Sequence, residues 1–202
     1  MLRIGLTGGI ASGKSAASNY FASLGIPLID TDLISRELVQ PGSQGLQRIA
    51  ETFGETVLDA TGALDRARLR EIVFSSDAQR RQLEDILHPA IRDRVEELLA
   101  EIANAPYVII VIPLLIETRY PIPVDRVLVI DTEEERQLDR LMQRDGFSIE
   151  QARAMLDAQA ARQQRLQHAD DIVTNDGSIK QLHAQLLKLH DNYLQMAGNA
   201  EK

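Results

Sequence analysis

The chain has 202 residues, 44% of them hydrophobic, and contains no cysteine, so a disulfide scaffold and a cysteine-ligated zinc site are excluded. Its net charge of −8 argues against a nucleic acid as the main partner, because nucleic-acid-binding domains usually present a basic surface. The first residues show no basic region followed by a long apolar stretch, which a signal peptide would have. No apolar run reaches the roughly 18 residues of a membrane helix. We therefore expect no signal peptide, no membrane partner and a cytoplasmic location.

The first 32 residues predict a strand, a loop, a helix and a second strand. Leu2 to Leu6 is short and apolar, and a glycine pair follows it. Lys14 to Leu24 repeats apolar residues at helical spacing, and Gly25 supplies a stop. Ile26 to Ile29 is the next short apolar run. A strand that leads through glycines into a helix is typical of an α/β protein.

The stretch from Leu33 to Ala103 predicts mainly helices. Apolar residues recur there at three- and four-residue steps, and Pro41-Gly42 and Thr61-Gly62 mark turns. The stretch is long for a connection between two strands. We interpret residues 33–103 as an inserted helical lobe.

The second half of the chain alternates strands and helices again. Strands are predicted at 107–112, 126–130 and 171–174, and helices at 132–144, 148–166 and 178–194. Thr132 with Glu135, and Ser148 with Gln151, form the pattern of a capping box at a helix start. Residues 198–202 are expected to fray.

These elements predict a three-layer α/β/α arrangement with a parallel five-stranded sheet, a helical insert and a helical lid. Together with the glycine-rich motif at Gly8 to Ser15, described below, they predict a P-loop NTPase fold. The predicted core covers residues 1–32, 104–139 and 167–197, and the lid covers 140–166. Parallel strands bring their carboxyl ends to one edge, so the segments after the first three strands should converge there.

Gly8 to Ser15 matches the phosphate-binding pattern G-x-x-x-x-G-K-[ST] in full, between a predicted strand and a predicted helix. Glycines allow the backbone to approach phosphate oxygens, and the helix N-terminus adds partial positive charge. Lys14 is expected to reach the β- and γ-phosphates, and Ser15 to offer its hydroxyl to Mg²⁺. The motif predicts ATP and Mg²⁺ as cofactors. We expect nucleotide contacts from Gly9, Ile10, Ala11, Ser12, Gly13, Lys14, Ser15 and Ala16.

Two further groups of charged residues are candidates for the chemistry. Asp30 and Asp32 follow the second strand, where a carboxylate can accept a hydroxyl proton; a helix cap or a solvated acid pair is the alternative. Arg140 and Arg144 lie four residues apart on one helix face, where guanidinium groups can neutralise a transferring phosphoryl group. Neighbouring acidic residues leave a solvated charged face as the alternative for these arginines.

The chain resembles the dephospho-CoA kinase family in an ordered set of segments over roughly residues 1–190. The resembling segments are Leu6 to Ser15, Ile29 to Asp32, Leu87 to Ile91, Pro113 to Glu117 and Ala169 to Asn175. The resemblance implies transfer of the ATP γ-phosphoryl group to the ribose 3′-hydroxyl of dephospho-CoA, the last step of coenzyme A biosynthesis.

The resemblance also implies roles for individual residues. Asp32 would be the general base, and Lys14 and Arg140 would stabilise the phosphates. Asn175 would lie beside the adenine, with the turn continued by Asp176 and Gly177 as the alternative. The acceptor would contact Thr7, Asp32, His88, Leu114, Leu115 and Glu117. Structural roles remain open for His88 and Glu117, and a plain core role for Leu114 and Leu115.

The sequence departs from the family pattern at two positions and leaves rival functions open. Ala11 stands where many members carry glycine, and Ile116 replaces a frequent phenylalanine. The nearest rival is another small-metabolite P-loop kinase, of the nucleoside monophosphate or shikimate type. A GTPase-type switch is the second alternative, but the chain contains no Asn-Lys-x-Asp motif for guanine recognition. A non-catalytic ATP-binding module is the third alternative. Oligomeric state is not predicted.

Overall fold

The computed structural model describes residues 1–117 and 122–200, which form two compact units. The first unit comprises residues 1–30 and the chain from 102 onward, and the second comprises residues 31–101. No helix in the described part of the chain is both long and apolar enough to span a membrane.

The first unit is built on a five-stranded sheet in which every pairing is parallel. Its strands are β1 (Leu2–Gly8), β2 (Leu28–Asp30), β3 (Tyr107–Val111), β4 (Arg126–Asp131) and β5 (Asp171–Thr174), in the spatial order β2-β3-β1-β4-β5. In register, Leu6 pairs with Val111 on one side and Leu128 on the other. The central position of β1 places the loop that follows it between the carboxyl ends of β3 and β4.

Helices cover this sheet because its central strands are apolar on both faces. They are α1 (Lys14–Ser23), α6 (Glu134–Asp145), α7 (Ile149–Asp157), α8 (Arg162–Gln167) and α9 (Ile179–Ala200). Phe21 of α1 and Leu186 of α9 are buried against β1 and β3 in the main core. A smaller cluster joins Leu138 and Leu141 of α6 to Ala152 of α7.

The second unit is helical and has a core of its own. It contains α2 (Thr31–Glu37), α3 (Gln44–Phe53), α4 (Arg66–Phe74) and α5 (Asp77–Glu101), with a short 3₁₀ helix over Glu55–Val57. Its buried core comprises Val39, Ile49, Val57 and Leu69. Ser43 and Asp65 cap α3 and α4 by accepting backbone hydrogen bonds from Leu46 and Arg68.

Most predicted elements are present, and three details of the prediction were wrong. The helix predicted over 148–166 is two helices, α7 and α8, although its capping box at Ser148 is present. The last helix continues through the residues expected to fray as far as Ala200, while residues 201–202 lie outside the described part. Helix α6 has Glu133 as its N-cap, not Thr132, because the Thr132 hydroxyl donates to the carbonyl of Ser12.

Candidate active site

The phosphate loop joins β1 to α1 in the predicted strand–loop–helix arrangement. Gly13 has φ 102° immediately before α1, a conformation that favours glycine. Ala11 also adopts a left-handed conformation, with φ 56°, so the alanine is accommodated at the position where glycine is frequent. A tight turn closes within the loop, where Ser12 N donates to Gly9 O at 3.2 Å. The first backbone amides of α1 therefore lie at the end of a curled loop, as an anion site requires.

Lys14 and Ser15 begin α1. Lys14 Nζ donates to the carbonyl oxygens of Gly8 (2.8 Å) and Gly9 (3.0 Å), so its ammonium group lies over the beginning of the loop. The Ser15 side chain is exposed beside the loop, and Ala16 packs against the main core. The structure thus brings one cation and one hydroxyl together at the loop.

Two buried polar side chains donate hydrogen bonds to the carbonyl of Ser12. Asn175 Nδ2 donates to Ser12 O at 2.7 Å, and the Thr132 hydroxyl donates to the same oxygen at 3.1 Å. Thr132 and Asn175 are both buried. The capping prediction for Thr132 was wrong because this hydroxyl bonds to the phosphate loop and not to the first turn of α6.

The two predicted arginines have different surroundings. Arg140 Nη1 donates to Ala11 O at 3.0 Å and Nη2 to Asn175 O at 2.7 Å, so its guanidinium joins the phosphate loop to the segment after β5. Arg144 is exposed and forms two hydrogen bonds with the carboxylate of Asp145, which raises the pKa of Arg144 and lowers that of Asp145. The structure brings Arg140 to the loop and leaves Arg144 paired at the surface.

Two glutamines that the sequence analysis missed hold the backbone of Ile10. Gln137 Nε2 donates to Ile10 O at 2.6 Å, and Gln159 Oε1 accepts from Ile10 N at 2.7 Å. Gln137 is only 1% exposed, and its amide lies against Gly9, where an added Cβ atom would overlap it. Gln137 lies in a charged helix and Gln159 in the connection between α7 and α8, and a glutamine gives no distinctive signal in either place, so periodicity could not identify these residues.

Two arginines of α8 were also missed. Arg162 forms hydrogen bonds with both carboxylate oxygens of Asp131 (2.8 and 2.6 Å) and with Glu133 (2.6 Å), and these carboxylates raise its pKa. Arg165 is buried, and burial lowers its pKa. Asp131 is the last residue of β4, so attention to acidic residues at strand ends could have identified it.

The segment after β3 faces the phosphate loop through Thr7. The buried Thr7 hydroxyl donates to Pro113 O at 3.3 Å. Leu114 is 51% exposed, so a core role for it was wrong, while Leu115 is half-buried in the same turn. Glu117 Oε1 accepts from the backbone amide of Ala160 at 2.8 Å, which links this segment to the connection between α7 and α8.

The remaining predicted residues lie at β2 and in the helical unit. Asp30 ends β2 and is therefore at the edge of the sheet that carries the phosphate loop. Asp32 follows in the first turn of α2 and is exposed. His88 lies on α5, half-buried, and desolvation lowers its pKa against the opposing effect of Glu84 and Asp85.

A parallel sheet with its phosphate loop after the central strand, and with lysine and a hydroxyl at the helix start, defines a P-loop kinase. The profile of the dephospho-CoA kinase family matches residues 2–181 of the chain. A dephospho-CoA kinase from Thiobacillus denitrificans is 52% identical over 200 residues, which cover 98% of each chain. The chain belongs to the dephospho-CoA kinase family.

Solved structures agree with this assignment. A dephospho-CoA kinase from Campylobacter jejuni is 30% identical, covers 98% of each chain and has a TM-score of 0.69. A Thermus thermophilus protein is 31% identical, with a TM-score of 0.83 over 94% of this chain and 95% of the other. The main prediction of family is confirmed and is favoured over the nucleoside monophosphate and shikimate kinase alternatives.

Proposed function

We propose that this chain transfers the γ-phosphoryl group of ATP to the ribose 3′-hydroxyl of dephospho-CoA, giving CoA and ADP in the last step of coenzyme A biosynthesis. The observation that carries the proposal is the complete phosphate loop between β1 and α1, in a chain whose family match spans residues 2–181. A cytoplasmic location belongs to the same proposal.

The phosphate side of the reaction is assigned to the loop. Backbone amides of residues 9–16 would bind the triphosphate, with the Lys14 ammonium group over the β- and γ-phosphates. The exposed Ser15 hydroxyl is an oxygen ligand of the kind that magnesium prefers, and phosphate oxygens and water would supply the others. When bound, magnesium would neutralise charge on the phosphates.

The acceptor side is assigned to the helical unit, residues 31–101. This unit contains a cavity of about 260 Å³ with an apolar wall and two guanidinium groups, those of Arg66 and Arg70. Such a combination suits an acceptor with both apolar and phosphate portions. Asp32 is assigned the proton of the 3′-hydroxyl by the family resemblance, and His88 a contact with the acceptor. Residues 140–166 are assigned the role of lid.

Offering the purified protein a panel of acceptors tests the proposal. With ATP and magnesium, we expect ADP release and one added phosphate on dephospho-CoA, located at the 3′ position by NMR, and none on AMP or shikimate. Lys14→Ala should abolish transfer while leaving the circular dichroism spectrum unchanged. Preferential phosphorylation of AMP or shikimate would overturn the assignment of the acceptor.

A pair of aspartate variants tests the general base. Asp32→Asn should reduce kcat by roughly 10²- to 10⁴-fold with little change in ATP affinity, because a base acts in the transition state. Asp30→Asn is the matched control at the end of β2. Equal losses of kcat and ATP affinity in Asp32→Asn would indicate a binding role instead.

A further inference from the structure

Helix α8 places the guanidinium group of Arg165 directly against the beginning of the phosphate loop. Arg165 is only 9% exposed, although arginine is usually found at the surface. A Cβ atom added to Gly9 would lie 2.9 Å from Arg165 Nη2 and 3.2 Å from Cζ. The absence of a side chain at Gly9 therefore gives this cation its close approach to the loop backbone.

The hydrogen bonds of Arg165 leave most of its donors available. Arg165 Nη1 donates to the carbonyl of Ala160, which is the one hydrogen bond that its side chain forms within the described residues. Glu117, Asp131 and Glu134 act on its charge without pairing with it directly. A guanidinium group carries five N–H donors. None of the Arg165 side-chain nitrogens is among the buried atoms without a partner in the described part of the chain, so its remaining donors are open to water or to a ligand.

The neighbouring arginine shows the contrast. Arg162, three residues earlier on the same helix, is saturated by the carboxylates of Asp131 and Glu133. This pair ties α8 to the carboxyl end of β4. On the other side, Glu117 holds the amide of Ala160, whose carbonyl accepts from Arg165. Arg162 therefore fixes the position of α8, whereas Arg165 is positioned by one side-chain hydrogen bond and keeps further N–H donors.

A cavity of about 230 Å³ adjoins the Arg165 side chain. Its walls include Gln137 and Gln159, which hold the Ile10 peptide, and the acidic residues Glu134 and Asp157, which Arg153 and Arg162 accompany. The buried Oε1 atom of Gln137 has no hydrogen-bond partner within the described residues. The space is large enough for a phosphoryl group and water, since a water molecule occupies roughly 30 Å³.

We propose that Arg165 binds the terminal phosphoryl group at the mouth of the phosphate loop and neutralises its charge during transfer. The proposal rests on the proposed function. In the transfer, the bond from phosphorus to the β–γ bridging oxygen breaks, the acceptor oxygen bonds to phosphorus, and the hydroxyl proton goes to the base. Arg165 stays protonated throughout and only donates hydrogen bonds, which are strongest when charge develops on the phosphoryl oxygens.

Kinetics of substituted enzymes test this role. Arg165→Gln should reduce kcat by about 10²- to 10³-fold while the Kd of ADP stays within about threefold, because ADP lacks the terminal phosphoryl group. Arg165→Lys should recover part of the loss. Arg136→Gln, which removes an exposed charge from α6, is the matched control and should keep full activity.

Two readouts separate a phosphate contact from a structural role. Aluminium fluoride with ADP mimics the transferring group, so it should tighten ADP binding to the unmodified enzyme and not to Arg165→Gln. Added guanidinium ion should restore activity to Arg165→Ala by occupying the vacated space. An unchanged kcat, equal losses of kcat and ADP affinity, or unchanged aluminium fluoride binding would each overturn the proposal.

The role of Arg165 can be tested even if dephospho-CoA is not the acceptor. Failure to phosphorylate dephospho-CoA would refute the proposed function, whereas the aluminium fluoride measurement requires no acceptor. If Arg165→Gln does not fold, Arg165→Lys supplies the same comparison, since its flexible ammonium group cannot reproduce the planar fork of donors. Full aluminium fluoride binding and full kcat in Arg165→Lys would then contradict a role for the guanidinium group.

Discussion

The side-chain amide of Asn175 donates a 2.7 Å hydrogen bond to the backbone carbonyl of Ser12, 163 residues away in the chain. The same amide lies directly against Gly13, where an added Cβ atom would overlap Asn175 Nδ2. Asn175 therefore supports the phosphate loop from the segment after β5. Contact with adenine, which the family resemblance implies for this residue, stays a prediction.

Asn175→Ala should weaken binding of ATP and of inorganic tripolyphosphate by similar factors, about tenfold each. The reason is that the lost hydrogen bond, worth roughly 1–3 kcal/mol when the partner stays buried, shapes the phosphate loop and not the base pocket. Isothermal titration calorimetry with both ligands makes the comparison. Loss of ATP affinity with unchanged tripolyphosphate affinity would place Asn175 against adenine instead.

Arg140→Ala should lower the free energy of unfolding by roughly 1–3 kcal/mol even without nucleotide. Its guanidinium donates to Ala11 O and Asn175 O, and removing it leaves partly buried carbonyls without these donors. Arg140→Lys should recover little, because an ammonium group cannot donate in two fixed directions. Chemical denaturation measures both variants.

Arg144→Ala is the matched control for this prediction. Its side chain is exposed and pairs with the adjacent Asp145, so its removal should change the unfolding free energy by less than about 0.5 kcal/mol. If Arg140→Ala were as stable as the control and lost only kcat, Arg140 would act directly on the phosphates, as the sequence analysis predicted.

The phosphate loop and the sheet could be predicted from sequence because both depend on local pattern. Gly8 to Ser15 is contiguous, and each strand is a short apolar run. The support of the loop depends on contacts across more than 120 residues, such as that between Arg140 and Ala11, and local pattern carries no information about them. Thr132 shows the limit most clearly, since its capping pattern is present while its hydroxyl bonds to Ser12.

The Asp131–Arg162 pair should show a large coupling energy in a double-mutant cycle. The Asp131 side chain is 8% exposed and receives two hydrogen bonds from the guanidinium group, so the pair is poorly screened by solvent. With Asp131→Asn and Arg162→Gln, we expect a coupling of about 1–3 kcal/mol in unfolding free energy. Each single variant should also reduce kcat, because α8 carries Arg165.

The exposed Arg68–Glu71 pair on α4 is the reference for this cycle. Both side chains are more than half exposed, and they lie one helical turn apart. Such pairs contribute roughly 0.2–0.5 kcal/mol, so the reference coupling should be several times smaller. Equal coupling energies in the two cycles would mean that the contact between α8 and β4 contributes no more than a surface ion pair.

His88 should make the protein less stable as the pH falls below about 6.5, the ordinary pKa of histidine. Desolvation lowers the pKa of His88 in the folded protein, so the unfolded chain binds the proton first. The stabilising effect is complete above pH 6.5 and is lost as the pH falls toward the lowered pKa of the folded state.

Denaturation midpoints between pH 7.5 and 5 should therefore fall less steeply for His88→Gln than for the unmodified protein. His168→Gln, which replaces an exposed histidine, should follow the unmodified protein, and identical slopes for all three would show that burial of His88 does not govern this pH dependence.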